Sequence, residues 1–250
     1  MIINPYRFAA GGDVPFATSL YDSGENLLVS IETDIPANWN DFNTPYNATR
    51  LEIGTSCTTI GNYAFRNCSD LTSLTSGNSV TSIGFYAFGF CTNITGPLVI
   101  PNSVTSIEQG AFAQCTGLTS LTIGNSVTSI GYYAFFYCQD FDGTLTIGNS
   151  VTSIGNDAFS DCTGLTGSLV IPDSVTSIGS NAFGGCISVT ALYTNADTAS
   201  WIGINALLAT NALATIYVGP DVVGTYTPTF QGGSGMTVTT WDNYPDPIPN

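Results

Sequence analysis

Residues 104–123 read VTSIEQGAFAQCTGLTSLTI, and this stretch decides the fold because the chain repeats it. The dipeptide Ala-Phe ends at Phe65, Phe88, Phe112, Phe135, Phe159 and Phe183, with spacings of 23, 24, 23, 24 and 24 residues. Five residues before each Phe stands Ile60, Ile83, Ile107, Ile130, Ile154 or Ile178. Three residues after it stands Cys68, Cys91, Cys115, Cys138, Cys162 or Cys186. Leu71, Ile94, Leu118, Phe141, Leu165 and Val189 complete the unit. A fixed period of this length marks a solenoid, whose units cannot bury an apolar face alone and form a core by stacking.

The columns predict local structure. Ala, Phe, Cys and Leu at i, i+1, i+4 and i+7 share one face of a short helical segment. The triplets Leu98–Ile100, Leu121–Ile123, Leu145–Ile147 and Leu169–Ile171 alternate as half-buried strands do. Val-Thr-Ser-Ile makes a second short extended segment, and Gly-Asn, Pro-Asn or Pro-Asp between the two is a turn. The 24-residue copies carry one extra residue before the strand, as in Ile94-Thr95-Gly96-Pro97-Leu98, which fits a loop better than a core. Beyond Phe183 the pattern decays: Ile202, Ala206, Leu207 and Thr210 continue the columns, and Ile216-Tyr217-Val218 reads as a closing strand. The expected fold is a repeat solenoid, mainly β with short helical turns, leucine-rich-repeat-like, with about seven coils of 23–24 residues. Residues 1–50 form a cap or attachment segment, with strand-like Leu27–Ile31; residues 51–225 form the solenoid; residues 226–250 hold a last strand and a Pro-rich arm.

Composition narrows function. The chain has 250 residues, 18 acidic side chains, three arginines (Arg7, Arg50 and Arg66), and neither lysine nor histidine, for a net charge of -15. Phosphate neutralisation needs clustered Lys or Arg, so no nucleic-acid partner is expected. No apolar run reaches the length of a membrane span, so no membrane insertion is expected. Met1 leads into IINPYRFAAGGD without a basic segment followed by an apolar one, which reads as no secretory signal. Without His or Lys, no Ser-His-Asp triad, Cys-His pair, Schiff base or His ligand can form. The expectation is therefore no enzyme, no cofactor and no metal. Asp140 and Asp142, with Asp157 and Asp161 one coil on, are the one arrangement that raises calcium, and six or more oxygen ligands are not evident there. Seven cysteines occupy apolar columns, Cys57 taking the place of a repeat valine, and are expected as buried free thiols.

The columns resemble the BspA-like leucine-rich repeats, over residues 51–225. That resemblance implies a curved solenoid with a β-sheet on one face and no shared catalytic residues. Members are commonly surface or secreted adhesion proteins, and phages carry them too. The short lead Ile3–Ala9, INPYRFA, resembles the leads of predicted virion proteins of environmental phages.

Variable positions around Ala-Phe carry the candidate site. Tyr63, Phe85, Tyr86, Phe90, Tyr132, Tyr133, Phe136 and Tyr137 stand where other copies are polar or small. With the core columns already filled, several of these rings should be exposed, as at a protein or glycan interface. Packing beneath the N-terminal segment or between coils is the alternative. The leading functional expectation is a non-enzymatic virion-surface protein, of fibre or capsid-decoration type, with possible self-assembly or virion attachment through the N-terminal segment. A secreted or cell-surface adhesin is the runner-up. Ice binding is a third, raised by the ranks Thr81, Thr105, Thr128, Thr152 and Thr176. The localisation expected is the virion surface or the extracellular space.

Overall fold

The computed structural model describes residues 18–31, 34–37, 48–194, 215–218 and 237–240. In chain order the strands are β1 (Thr18–Tyr21), β2 (Leu27–Ile31), β3 (Arg50–Glu52), β4 (Thr59–Ile60), β5 (Ser73–Thr75), β6 (Ser82–Ile83), β7 (Gly96–Ile100) and β8 (Ser106–Ile107). They continue as β9 (Leu118–Ile123), β10 (Ser129–Ile130), β11 (Ser153–Ile154), β12 (Thr166–Ile171), β13 (Ser177–Ile178), β14 (Ser188–Thr194), β15 (Thr215–Val218) and β16 (Thr237–Thr240). The molecule is a β-solenoid of about six Ala-Phe coils, numbered 1 to 6 from Phe65 to Phe183.

The Ser-Ile columns build one continuous parallel sheet in the order β4-β6-β8-β10-β11-β13, with Thr59 over Ser82, then Ser over Ser, and Ile over Ile throughout. Each threonine before these strands adds to the ladder. The Thr105 hydroxyl donates to the Thr81 carbonyl (3.1 Å), and Thr81, Thr128, Thr152 and Thr176 do the same to the coil before. Inside, the phenylalanines stack with centroids 5.1–5.5 Å apart from Phe65 to Phe183. All six are at most 1% exposed. The cysteines do more than fill space: the Cys115 thiol donates to the Phe88 carbonyl (3.1 Å), and Cys91, Cys138, Cys162 and Cys186 repeat the bond. All seven cysteines are free thiols, six of them buried and Cys68 half-buried.

The Leu-x-Ile columns form the opposite face, and here the sheet is interrupted. β3 pairs with β5 and β7 with β9, Thr122 bridges to Thr146, and β12-β14-β15-β16 run together. β7 opens with Gly96 and Pro97, and a proline has no N–H to give a neighbour. β5 and β7 do not pair with each other, and between them lies an apolar gap of about 10 Å³ lined by Leu74, Leu98 and Phe88 among others. The extra residue of each 24-residue copy is a left-handed glycine: Gly96 (φ 85°), Gly143 (φ 103°) and Gly167 (φ 69°). At Gly96 and Gly167 it makes a bulge in the pairing, so the insertion is absorbed at the strand's edge. Ile216–Val218 is not the last rung, because β16 continues parallel to β15 with Val238 on Ile216. The expected seventh-coil residues Ile202, Ala206, Leu207 and Thr210, and the Pro-rich arm, lie outside the described residues.

At the other end, β1 lies antiparallel to both β2 and β3. The Arg50 guanidinium sits 3.8 Å over the Tyr21 ring and pairs with Glu25 and Glu52, tying this hairpin to the first rung.

The short helical turns are a correction: among the described residues there is no helix. Within each Ala-Phe turn alternate N–H groups bond three residues back, as Ala64 does to Gly61 and Cys68 to Phe65. The N–H groups between them leave the turn altogether. Tyr63, Phe65 and Asn67 donate to the Phe85, Ala87 and Gly89 carbonyls of the next coil at 2.7–2.9 Å. An α-helix spends every N–H on its own carbonyl four residues back. Here each turn carries two left-handed residues four apart, as at Tyr63 and Asn67, and every second N–H faces the neighbouring coil.

Candidate functional site

The left-handed residues of the Ala-Phe turns fall in two columns. Immediately before Ala they are Tyr63 (58°), Tyr86 (47°), Gly110 (64°), Tyr133 (57°), Asp157 (53°) and Asn181 (53°). Two after Phe they are Asn67 (62°), Phe90 (66°), Gln114 (58°), Tyr137 (60°), Asp161 (60°) and Gly185 (73°). Gly, Asn and Asp are the residues that tolerate this backbone; others bear roughly 1–2 kcal/mol in it. Five of the eight sequence-predicted site residues (Tyr63, Tyr86, Phe90, Tyr133 and Tyr137) thus hold a ring at a disfavoured φ. These rings therefore stand against the local backbone preference.

The sequence-predicted rings do not form one cluster. Coils 1 and 2 bring together Tyr63, Tyr86 and Phe90. Tyr63 and Tyr86 stack at 6.0 Å and 3°, and Tyr86 and Phe90 at 6.4 Å and 14°. The Arg66 guanidinium lies 5.7, 5.7 and 5.4 Å from the three centroids, within cation–π range. Tyr86 leans onto coil 3, where a Cβ on Gly110 would run into its ring. Coil 3 carries Gln109, Gly110, Ala113 and Gln114 at the ring positions, so it separates the two groups. Coil 4 brings together Tyr133, Phe136 and Tyr137. Phe136 meets Tyr133 edge-on at 5.6 Å and 87°, and Tyr137 at 5.9 Å and 38°. Phe85 and Tyr132, one column earlier, point outward with 41% and 54% exposure. Tyr63, Tyr133 and Tyr137 are exposed at 37–39%, whereas Tyr86, Phe90 and Phe136 are half-buried between coils. Some of these rings thus seal coil contacts, and others are exposed.

Carboxylates flank the coil 4 group. Burial pushes Asp157 above the ordinary carboxylate range, the nearby Asp161 charge adds to this, and hydrogen bonds from Asn181 and Tyr133 oppose it. Asp161 leans across coil 6 at Gly185. Among the described residues no three His, Cys, Asp or Glu side chains converge as metal ligands. Among the same residues, no helix is long and apolar enough to cross a membrane. Sequence reasoning missed Arg66 as a partner of the rings, and missed Asp157 and Asp161 as their neighbours. The signal was available: Gly110, Asp157 and Asn181 in one column, with Asn67, Asp161 and Gly185 in the other, announce a left-handed backbone.

Residues 38–166 and 143–241 match the BspA type Leucine rich repeat region, in 6 copies. No curated protein matches the chain significantly in sequence. Among solved structures, the leucine-rich repeat protein of T. pallidum is 20% identical, with a TM-score of 0.63 over 82% of this chain and 91% of that one. A leucine-rich repeat protein from Bacteroides ovatus is 20% identical, with a TM-score of 0.46 over 80% of this chain and 62% of that one. A leucine rich cell surface protein from Faecalibacterium prausnitzii is 21% identical, with a TM-score of 0.34 over 80% of both chains. At these identities the T. pallidum protein shares the fold.

Proposed function

The chain belongs to the BspA-type leucine-rich repeat family, and from that premise we propose that it is a non-enzymatic binding module acting at a surface or outside the cell, which holds a protein or glycan partner along the Ala-Phe edge of its solenoid. The supporting observation is that exposed aromatic side chains occupy left-handed positions where Asn, Asp, Gly or Gln stand in the remaining coils. The solenoid is rigid, so an edge of this kind is pre-organised, and little side-chain entropy is lost when a partner docks. The threonine ladder plays a structural part, because its hydroxyl protons are committed to backbone carbonyls of the preceding coil.

Family membership favours an adhesin carried on a cell surface. The lead Ile3–Ala9 supports a second reading, a virion fibre or decoration protein, and lies outside the described residues. The two share the binding edge and differ in what displays it. Fractionation of the native source separates them, since one predicts envelope-associated protein and the other purified particles. The binding edge is tested with Tyr132→Ser, Tyr133→Ser and Tyr137→Ser combined, assayed on arrays of extracellular proteins and glycans. Loss of the wild-type signals with an unchanged circular dichroism spectrum is expected. Retained binding would place the site elsewhere.

A further inference from the structure

We propose that the corner of coils 4 and 5, built by Tyr133, Phe136, Tyr137, Asp157 and Asp161, receives a basic side chain, arginine or lysine, of a protein partner. The inference rests on the binding edge proposed above and names what that edge recognises.

The argument comes from a comparison the molecule makes with itself. At coils 1 and 2 four repeat positions hold a cation among rings: Arg66, Tyr63, Tyr86 and Phe90, with the guanidinium 5.4–5.7 Å from each centroid. Three coils on, the same positions hold Phe136, Tyr133, Asp157 and Asp161. The column that supplied the cation now supplies a ring, and the two distal rings have become carboxylates. Aromatic faces and carboxylates are both attractive to an ammonium or guanidinium group. Phe136 meets Tyr133 edge-on and Tyr137 at a tilt, unlike the parallel stack at coils 1 and 2, and the Asp157 carboxylate lies against Tyr133 with the Asp161 charge beside it.

No cation of the chain is placed to satisfy this corner among the described residues. Arg50 is ion-paired in the cap and Arg66 sits in coil 1; Arg7 lies outside the described residues, and the sequence has no Lys or His. With a net charge of -15, the complementary partner surface is basic.

The test uses the full chain with its tyrosine and phenylalanine rings labelled for NMR. N-acetyl-arginine amide is titrated at physiological salt beside N-acetyl-citrulline amide, which has nearly the same shape and no charge. Saturable shifts of Tyr133 and Tyr137 are expected with arginine, at about tenfold or greater preference over citrulline. Asp157→Asn with Asp161→Asn should remove that preference. So should Tyr133→Asn with Tyr137→Asn; Asn suits the left-handed backbone at all four positions, so these variants should fold. Equal response to citrulline, no saturable response to arginine, or a preference that survives in either double variant would overturn the proposal. If arginine fails here while the triple serine variant still loses its array signals, the binding edge stands and only its basic ligand falls. If the array signals persist in that variant, the edge itself fails.

Discussion

Replacing Phe112 with alanine removes the ring at the middle of the stack. Phe112 is 1% exposed and lies between Phe88 (5.1 Å, 9°) and Phe135 (5.5 Å, 1°). Deleting a buried Phe side chain costs about 3–5 kcal/mol, in which the lost transfer energy and the cavity both count. Each aromatic contact adds about 0.5–1.5 kcal/mol beyond buried area. Coils are covalently continuous and touch only their neighbours, so the cavity cannot be closed by shifting one coil against another without disturbing the inter-coil hydrogen bonds, three on each side in the Ala-Phe turn alone. The upper half of the range is therefore expected. Urea unfolding followed by circular dichroism gives the cost if the m-value is unchanged. A fall in m for Phe112→Ala would show the array splitting into two half-stacks, which nearest-neighbour stability permits. A cost below about 1 kcal/mol would refute the stacked-column account.

The remaining predictions concern the turn and the thiols. Gly110→Ala should destabilise by about 1–3 kcal/mol, since it adds a Cβ to a residue at φ 64° and drives it into the Tyr86 ring. Adding Tyr86→Ser should recover the steric part of that loss and leave the backbone part, as a double-mutant cycle in urea would read out. Tyr137→Asn should leave stability unchanged or raise it by up to about 1 kcal/mol while weakening partner binding; a clear destabilisation would mean the ring is structural. The Cys115 and Cys186 thiols are pushed up to about 12 from 9.0 by burial. The folded state therefore keeps protons that the unfolded state releases. Stability is full below pH 9.0 and falls as pH rises toward about 12, by up to about 1.4 kcal/mol per pH unit for each thiol. Cys115→Ala should flatten that slope in alkaline urea titrations, and an unchanged slope would count against it.

The core of this protein was legible because it is written six times. Ile, Ala, Phe, Cys and Leu recur at fixed offsets, and each recurrence must face the same neighbours in a stack, so periodicity alone placed Phe88 on Phe112 and Ile107 on Ile130. The candidate rings were legible for the complementary reason, as apolar residues outside columns already full. The conformation of the turn was not. Ala, Phe, Cys and Leu at i, i+1, i+4 and i+7 suit a helix, but that spacing records only which side chains turn inward. Whether Phe65 gives its N–H to its own turn or to Ala87 of the next coil is decided by the neighbour being there. Inter-coil hydrogen bonding outweighs helix propensity because every coil meets the next in the same register. Which rings remain outside was also a tertiary outcome. Tyr86 is partly covered because coil 3 offers a glycine beneath it, while Tyr133 meets Asp157 and stays exposed. The sequence by itself determined the stack and its contents; the contact between successive coils decided the path of the backbone between them, and with it the surface that is left to bind.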